Sequence, residues 1–238
     1  MQIVFQIFCL CKVPGISVKP SLWLVADDYD KDADKWKNRG SGKDLNDVVR
    51  RGSVSKVSKS GNGAAAEVTS IEGTLQTGLS FGGGLVSSNN YAMCTLTRYS
   101  GNHRNRILLG GGNWLFGHWA QRSGVIHAQT WQTSHNQDSR IPRDEWLILC
   151  ASGTSVLGNG ISTGNGKAVH APNHGTIGVN HDPGHACCTG EVSDFQIAEI
   201  IIWNTALSMD QLKAAHQYLS NVLKNGRVLK KAAWLEHL

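Results

Sequence analysis

The 238-residue sequence lacks any long hydrophobic run, and it is poor in proline and in charged residues. No apolar stretch approaches the about 18 residues that a membrane-spanning helix requires, which argues against an integral membrane protein. Five prolines stand against 27 glycines, and 17% of the residues are charged while 40% are hydrophobic. This balance allows one sizeable core, and abundant glycine favours short strands joined by tight turns.

The sequence also lacks a basic stripe, although its net charge is +5. The densest basic groups lie at 35–59 and 224–231, and a run of five aspartates comes just before the first of them. Scattered charge of this kind is typical of a solvated surface, so we expect no nucleic-acid partner.

No repeated C-x-x-C motif is present, so the cysteines do not form a metal framework. The six cysteines are spread unevenly along the chain, at Cys9, Cys11, Cys94, Cys150, Cys187 and Cys188. Cys94 and Cys150 fall in predicted strands, where such residues are most often small buried hydrophobes. A disulfide involving Cys187 or Cys188 would suit an exported protein, but the sequence assigns no pairing. HDPGHACC (181–188) fits no standard zinc spacing and favours a turn-rich loop.

The two ends of the chain differ in composition from the middle. MQIVFQIFCLC is apolar enough for the core of a signal peptide, yet it lacks a basic start and a cleavage site, so residues 1–19 are either a remnant signal or an outer strand. We expect one domain over 20–224 and a basic tail over 225–238, in which Trp234 and Leu235 are candidate docking anchors.

Short apolar or alternating segments, each bounded by Gly, Asn, Ser or Pro, dominate the chain. They predict strands at 21–26, 92–99, 106–109, 113–119, 124–131, 145–151, 155–157, 175–179 and 195–203. Strands of this number and spacing favour a sandwich or jelly roll. The polar, Gly/Ser-rich residues 30–65 predict a long surface excursion.

The segment FQIAEIIIW (195–203) predicts a strand that is covered on both faces. Strict alternation places Ile197, Glu199, Ile201 and Trp203 on one face and the intervening residues on the other. Both faces are nearly apolar, which is typical of a central strand.

The following residues predict the start of an amphipathic helix. Ser208 fits an N-cap, and Gln211 three residues later completes a capping box. Leu207 and Leu212 occupy the positions of a hydrophobic staple. The helical stripe consists of Leu212, Ala215, Leu219 and Val222.

The pattern IAEIIIWNTALS, followed by a helix with Gln-Tyr-Leu near its end, resembles the LamG-like jelly-roll domains of the concanavalin A-like lectin/glucanase superfamily. SLWLVADD (21–28) and CTLTRYSGNHRNRILLGGGNWLFGHW (94–119) resemble the opening and central blocks of those domains, so the resemblance spans about residues 20–224. It implies an all-β, two-sheet antiparallel jelly-roll sandwich with one C-terminal amphipathic helix. It also implies glycan binding or protein adhesion, sometimes with calcium in the rim loops, and glycan cleavage in some relatives.

The segment EVSDFQIAE is the nearest match to the catalytic E-x-D-x-x-E pattern of the glucanases. Asp194 would face away from Glu191 and Glu199 in a regular strand, and those two glutamates would lie about 25 Å apart in an extended chain. Catalytic carboxyl groups require about 5–9 Å. We therefore expect no catalytic residue, and we expect Glu199 to be a structural acceptor with hydrogen-bonding partners, as Ser208 and Gln211 are structural.

A segment rich in Trp, Arg, His and Asn is the candidate ligand surface, because sugars stack on aromatic faces and bond to planar polar groups. Its members are Arg104, Arg106, Asn113, Trp114, His118, Trp119, Arg122, His127 and Trp131. Alternation along 113–119 places one set of side chains in the core, so at most half of the cluster is available. Asn180 and Asp182 are candidate calcium ligands, and we expect no other cofactor.

These features predict a non-catalytic recognition module, outside the cell or in an organelle lumen, that binds a polysaccharide, a glycoprotein or another extracellular partner. Two alternatives stay open. The chain could be a structural subunit of a larger assembly that uses the sandwich without binding sugar, or a glycan hydrolase or lyase with an unrecognised site.

Overall fold

The computed structural model describes residues 12–134, 140–181 and 190–227. Within these ranges the chain forms short strands and one C-terminal helix. In chain order they are β1 (Leu22–Asp30), β2 (Lys35–Asn38), β3 (Leu45–Asn46), β4 (Val49–Arg51), β5 (Ser55–Gly61), β6 (Ala64–Gly73), β7 (Gly78–Ser80), β8 (Ala92–Tyr99), β9 (Leu108–Gly111), β10 (Trp114–Trp119), β11 (Arg122–Ala128), β12 (Thr130–Trp131), β13 (Leu147–Ser152), β14 (Ser155–Gly158), β15 (Ile161–Ser162), β16 (Asn173–Val179), β17 (Phe195–Trp203) and α1 (Met209–Asn225).

The strands form two antiparallel sheets. Sheet A has the order β15-β14-β13-β8-β17-β1-β2-β3, and the hairpin β5–β6 joins it through β6, which pairs with β17. Sheet B has the order β12-β11-β10-β9-β16-β7-β4. The predicted all-β sandwich with one C-terminal helix is confirmed, and every predicted strand overlaps an observed one.

The inner faces of the two sheets enclose the main hydrophobic core. Trp36 and Phe195 from sheet A and Trp114 and Phe116 from sheet B belong to this core, and all four side chains are fully buried. The rings of Trp114 and Phe116 stack with their centroids 5.8 Å apart. Each large apolar side chain buried in this way contributes about 1.5–3 kcal/mol, so this core is a main source of stability.

A second core lies between the outer face of sheet A and helix α1. Ser208 caps the helix, since its Oγ accepts from the Gln211 amide at 3.3 Å and the Gln211 side chain accepts from the Ser208 amide at 2.9 Å. The apolar stripe of the helix packs against the sheet and buries Leu212, Ala215, Leu219, Val222 and Leu223. Val13 and Ile16, from the segment before β1, are buried in the same core.

Strand β17 lies between β8 and β1, and all of its residues are buried. A β-bulge between Ile197 and Glu199 interrupts its pairing with β8. Ile197 therefore faces the core between the sheets, whereas Ile201 and Trp203 face the helix. The prediction that Ile197 and Glu199 share a face is wrong, because the bulge adds one residue and shifts the alternation.

The prediction of a surface excursion over 30–65 is also wrong. This stretch contains β2, β3, β4 and β5, and it runs into β6. Trp36 on β2 is fully buried and donates its indole N–H to the Val25 carbonyl at 2.7 Å. The stretch is hydrophilic because alternate side chains of β2 face solvent and nearly all side chains of β5 are exposed, so neither strand has an apolar run.

Cys94 and Cys150 are fully buried, as predicted, and they form a disulfide, a pairing that the sequence left open. Antiparallel pairing of β8 with β13 places these cysteines directly opposite each other. The disulfide lies in the core beneath the helix. The other four cysteines lie outside the described residues.

Glu199 is fully buried and is bound by side chains on the helix side of sheet A. One carboxylate oxygen accepts from the Trp23 indole at 2.5 Å, and the other accepts from the Arg227 guanidinium at 2.7 Å. Arg227 also donates to Asp27 and to the Tyr218 hydroxyl, each at 2.9 Å. These contacts link the residue just beyond the helix, within the segment assigned to the tail, to the centre of the sheet.

We predict that Arg227→Ala lowers the free energy of unfolding by about 3 kcal/mol, because the mutation leaves the Glu199 charge buried without its cation. Urea unfolding at pH 7 measures the change. Arg50→Ala removes an exposed arginine and is the control, with an expected change within about 0.5 kcal/mol. Equal losses in the two variants would contradict the prediction.

Candidate functional site

The hairpin of β10 and β11 positions the candidate site at one end of sheet B. Trp119 and Arg122 are paired across the two-residue turn Ala120-Gln121. Both turn residues have positive φ, 47° and 67°, which a type I′ hairpin turn requires and which favours Asn or Gly. The Gln121 amide donates to the Arg104 carbonyl at 2.7 Å and helps to hold this conformation. The turn therefore places Trp119 and Arg122 side by side.

Four partly buried side chains form what we call the aromatic patch: Trp119, Arg122, His127 and Trp131. The rings of Trp119 and Trp131 have centroids 5.0 Å apart, and the His127 ring lies 4.9 Å from that of Trp131. The Arg122 guanidinium lies over the Trp119 ring at 5.2 Å from its centroid. The patch is thus one continuous row of planar groups.

The strand register places the patch on the outer face of sheet B. His127 pairs with Trp131, and its neighbour Ile126 on the same strand faces the core between the sheets. Phe116 pairs with Ile126 and also faces this core. Since successive side chains of a strand point to opposite faces, His127 and Trp131 face away from the core.

Polar contacts fix the orientation of the patch. The indole N–H of Trp119 donates to Glu191 at 3.2 Å, and the other oxygen of Glu191 accepts from Arg106 at 2.5 Å. His127 donates its Nδ1–H to the Asn113 carbonyl at 2.9 Å, because a carbonyl oxygen can only accept. No sequence pattern indicates that Glu191 supports the patch, because Glu191 and Trp119 are 72 residues apart and meet only in the tertiary fold.

Three of the predicted ligand-binding residues are buried and do not lie on the surface of the protein. Trp114 and His118 are fully buried in the core between the sheets, because they share a face of β10 with Phe116. Arg106 is 6% exposed and bound to Glu191. The prediction is wrong for these residues, whereas the opposite face of β10 supplies Trp119.

Arg104 and Asn113 flank the patch without belonging to it. Arg104 is half-buried and forms an ion pair with Asp144, and its Nε donates to the Gly101 carbonyl at 2.8 Å. Asn113 occupies the β9–β10 turn with a φ of 61°. The contacts of Arg104 hold it in the surroundings of the patch, and the carbonyl of Asn113 accepts the hydrogen bond from His127.

The carboxylates of EVSDFQIAE have separate partners. Glu191 belongs to the surroundings of the patch, and Glu199 lies on the helix side of sheet A. Asp194 accepts from the backbone amides of Leu75 at 3.0 Å and His103 at 3.1 Å. The three carboxylates are therefore each bound to a different part of the fold.

Asn180, a predicted calcium ligand, uses its side chain for hydrogen bonds within the protein. Its side-chain NH₂ contacts the carbonyl oxygens of Thr74, Thr77 and Ser193, and its Oδ1 accepts from the Ser193 amide at 2.8 Å. The carboxamide thus joins loops at the sandwich edge, and Asp182 lies outside the described residues. Within 12–134, 140–181 and 190–227, no group of three or more His, Cys, Asp or Glu side chains could hold a metal ion.

No protein-family model matches the chain, and no curated protein matches it in sequence. Solved structures do match. Domain 4 of AbnA, a GH43 extracellular arabinanase from Geobacillus stearothermophilus solved in complex with arabinotriose, aligns with a TM-score of 0.56 and 15% identity over 84% of this chain and 98% of that one. A Trypanosoma rangeli sialidase in complex with 2,3-difluorosialic acid aligns with a TM-score of 0.52 and 10% identity over 84% of this chain, which spans 33% of the sialidase. Identities this low establish a shared fold and nothing finer.

The part of the chain that the structure describes contains no helix with the length and apolar character needed to cross a bilayer. Its helix α1 is amphipathic and packs against sheet A.

His118 supplies a pH-dependent test of the core. Burial lowers the pKa of His118 to about 3, against about 6.5 for an unfolded chain. The neutral ring therefore stabilises the fold fully above about pH 6.5, and this contribution is lost as the pH falls towards 3. We predict that His118→Phe makes the loss of unfolding free energy between pH 6 and pH 4 smaller by about 2 kcal/mol.

Urea unfolding at the two pH values measures this difference. His103→Phe changes an exposed histidine and is the matched control, for which the loss should equal that of the unmodified protein. An unchanged pH dependence in His118→Phe would show that His118 titrates normally in the folded state.

Proposed function

We propose that the protein is a non-catalytic recognition module that binds a glycan through the aromatic patch. The observation that carries this proposal is the row of Trp119, Trp131 and His127 beside Arg122 on the outer face of sheet B. Indole rings offer flat apolar faces for the C–H groups of a sugar, and nearby planar polar groups can bond to its hydroxyls. Free polysaccharides and glycosylated proteins both present this chemistry.

The fold supports the proposal at a coarser level. The similar domain of the arabinanase was solved with arabinotriose, so a sandwich of this shape can carry a sugar site. We further propose that the chain is a LamG-like jelly roll, because β17, the capped turn and α1 follow one another as in those domains. One fold hosts many functions, so the patch and not the fold carries the functional argument.

The absence of catalysis is part of the proposal. Glycoside hydrolysis uses two carboxyl groups about 5–9 Å apart that flank the scissile bond. The candidates Glu191, Asp194 and Glu199 are each bound to separate partners, which supports a structural role for all three.

We also propose that the protein works outside the cell or in an organelle lumen. The disulfide between Cys94 and Cys150 supports this, because disulfides persist in oxidising compartments. The arabinanase with the similar domain is extracellular.

We predict that a glycan array identifies ligands and that Trp131→Ala weakens their binding at least about tenfold, because the mutation removes a stacking face at the centre of the patch. Isothermal titration calorimetry measures the affinity, and thermal unfolding verifies that the variant is folded. Val18→Ala shortens an exposed apolar side chain outside the patch and should leave the affinity unchanged.

Other outcomes would replace the proposal. Absence of glycan binding together with purification in a stoichiometric complex would favour a structural subunit of an assembly. New reducing or unsaturated ends on incubation with polysaccharides would establish a hydrolase or a lyase.

A further inference from the structure

Arg122 differs from the other two arginines of the predicted ligand segment in having no carboxylate partner among the described residues. Arg104 forms an ion pair with Asp144, and Arg106 forms one with Glu191. The guanidinium of Arg122 instead lies over the Trp119 ring, 5.2 Å from its centroid. One positive charge of the patch is therefore not neutralised by a neighbouring acid in this part of the chain.

The contact with the Trp119 ring leaves the hydrogen-bond donors of Arg122 available. A guanidinium over an aromatic ring interacts through its charge and uses none of its five N–H groups as donors to a carboxylate, so these groups can bind an acceptor. Their fork geometry matches the two oxygens of a carboxylate or a sulfate. Partial burial reduces the competing effect of water and salt, which strengthens such a pair relative to one on an open surface.

The neighbouring groups do not compete for this role. Glu191, which contacts the patch, is already bound to Arg106 and to the Trp119 indole. His127 donates its Nδ1–H to Asn113, which in the neutral ring makes Nε2 an acceptor suited to a sugar hydroxyl. The patch thus combines two uncharged indole rings with the guanidinium of Arg122 at one end.

We propose that the ligand is an acidic glycan whose carboxylate or sulfate group is bound by Arg122. This inference rests on the proposed glycan-binding function and specifies its substrate class. The sugar ring stacks on the indoles, and the anionic substituent reaches the guanidinium at the end of the row.

The test uses two matched pairs of oligosaccharides. An oligogalacturonide and its methyl ester differ in carboxylate charge, and a carrageenan oligosaccharide and its desulfated form differ in sulfate. We expect the acidic member of at least one pair to bind at least tenfold more tightly than its neutral counterpart in calorimetry. The pair that shows the preference identifies the anionic group.

Variants assign the preference to Arg122. Arg122→Gln should bind the acidic member no more tightly than the neutral one, whereas Arg122→Lys keeps the charge and should retain part of the preference. Arg143→Gln removes the same charge from an exposed arginine and is the matched control, with no expected effect on the preference. Thermal unfolding verifies the fold of each variant.

The possible failures are distinguishable. Equal binding of both members of each pair, lost in Trp131→Ala, would overturn the acidic ligand and leave glycan binding intact. Binding of other glycans on an array, with no binding of either pair, would likewise overturn the acidic ligand and leave glycan binding intact. If Arg143→Gln lost the preference for the acidic member as fully as Arg122→Gln, the preference would come from the overall positive charge of the protein, and the role of Arg122 would be overturned. Absence of binding to any glycan would overturn the proposed function itself.

Discussion

Burial of strand β17 on both faces is the constraint on which the rest of the structure depends. Its inner face needs sheet B as a cover, and its outer face needs helix α1. The one charge on the strand, Glu199, is tolerated because Trp23 and Arg227 supply hydrogen bonds and a counter-charge where no water can. The capping box at Ser208 then starts the helix a few residues after the strand, so that the helix can return over the sheet.

The two sheets consequently have different roles. Sheet A contributes to both cores, the one that it shares with sheet B and the one beneath helix α1. Sheet B has one face outside the core, and its β10–β11 hairpin uses that face for Trp119 and Arg122. The left-handed conformation of Ala120 and Gln121 is unfavourable for residues with a side chain, so the fold tolerates local strain next to the patch. Strain at such a position is typical of functional sites.

Local patterns predicted the parts of the fold that depend on neighbours in sequence. The apolar run of β17, which predicted burial on both faces, and the spacing of Ser208 and Gln211 are examples. The bulge at Ile197 has no local signature, because one extra residue in an apolar strand changes neither composition nor length. The disulfide was equally hidden, since Cys94 and Cys150 are 56 residues apart and meet only when β8 pairs with β13.

The candidate site was also predicted only in part, because its membership depends on contacts between segments that are distant in the sequence. Alternation along β10 separated Trp114 and His118 from Trp119, but the face that belongs to the core depends on which strands pair. Side-chain type could not decide this, because tryptophan suits a core and a sugar site equally well. The contact of Glu191 with Trp119 joins segments 72 residues apart, and no spacing rule applies over such a distance.

Helix α1, sheet A, sheet B and the aromatic patch follow one another as layers, so the helix and the patch lie on opposite sides of the molecule. Helix α1 contacts strands of sheet A, and its exposed Lys213 lies on the opposite side of the sandwich from Trp131. Attachment through the helix would therefore turn the aromatic patch away from the attachment point. Under the proposed function, copies attached in this way would present their patches to one polymer chain together, so that their individual contacts add up.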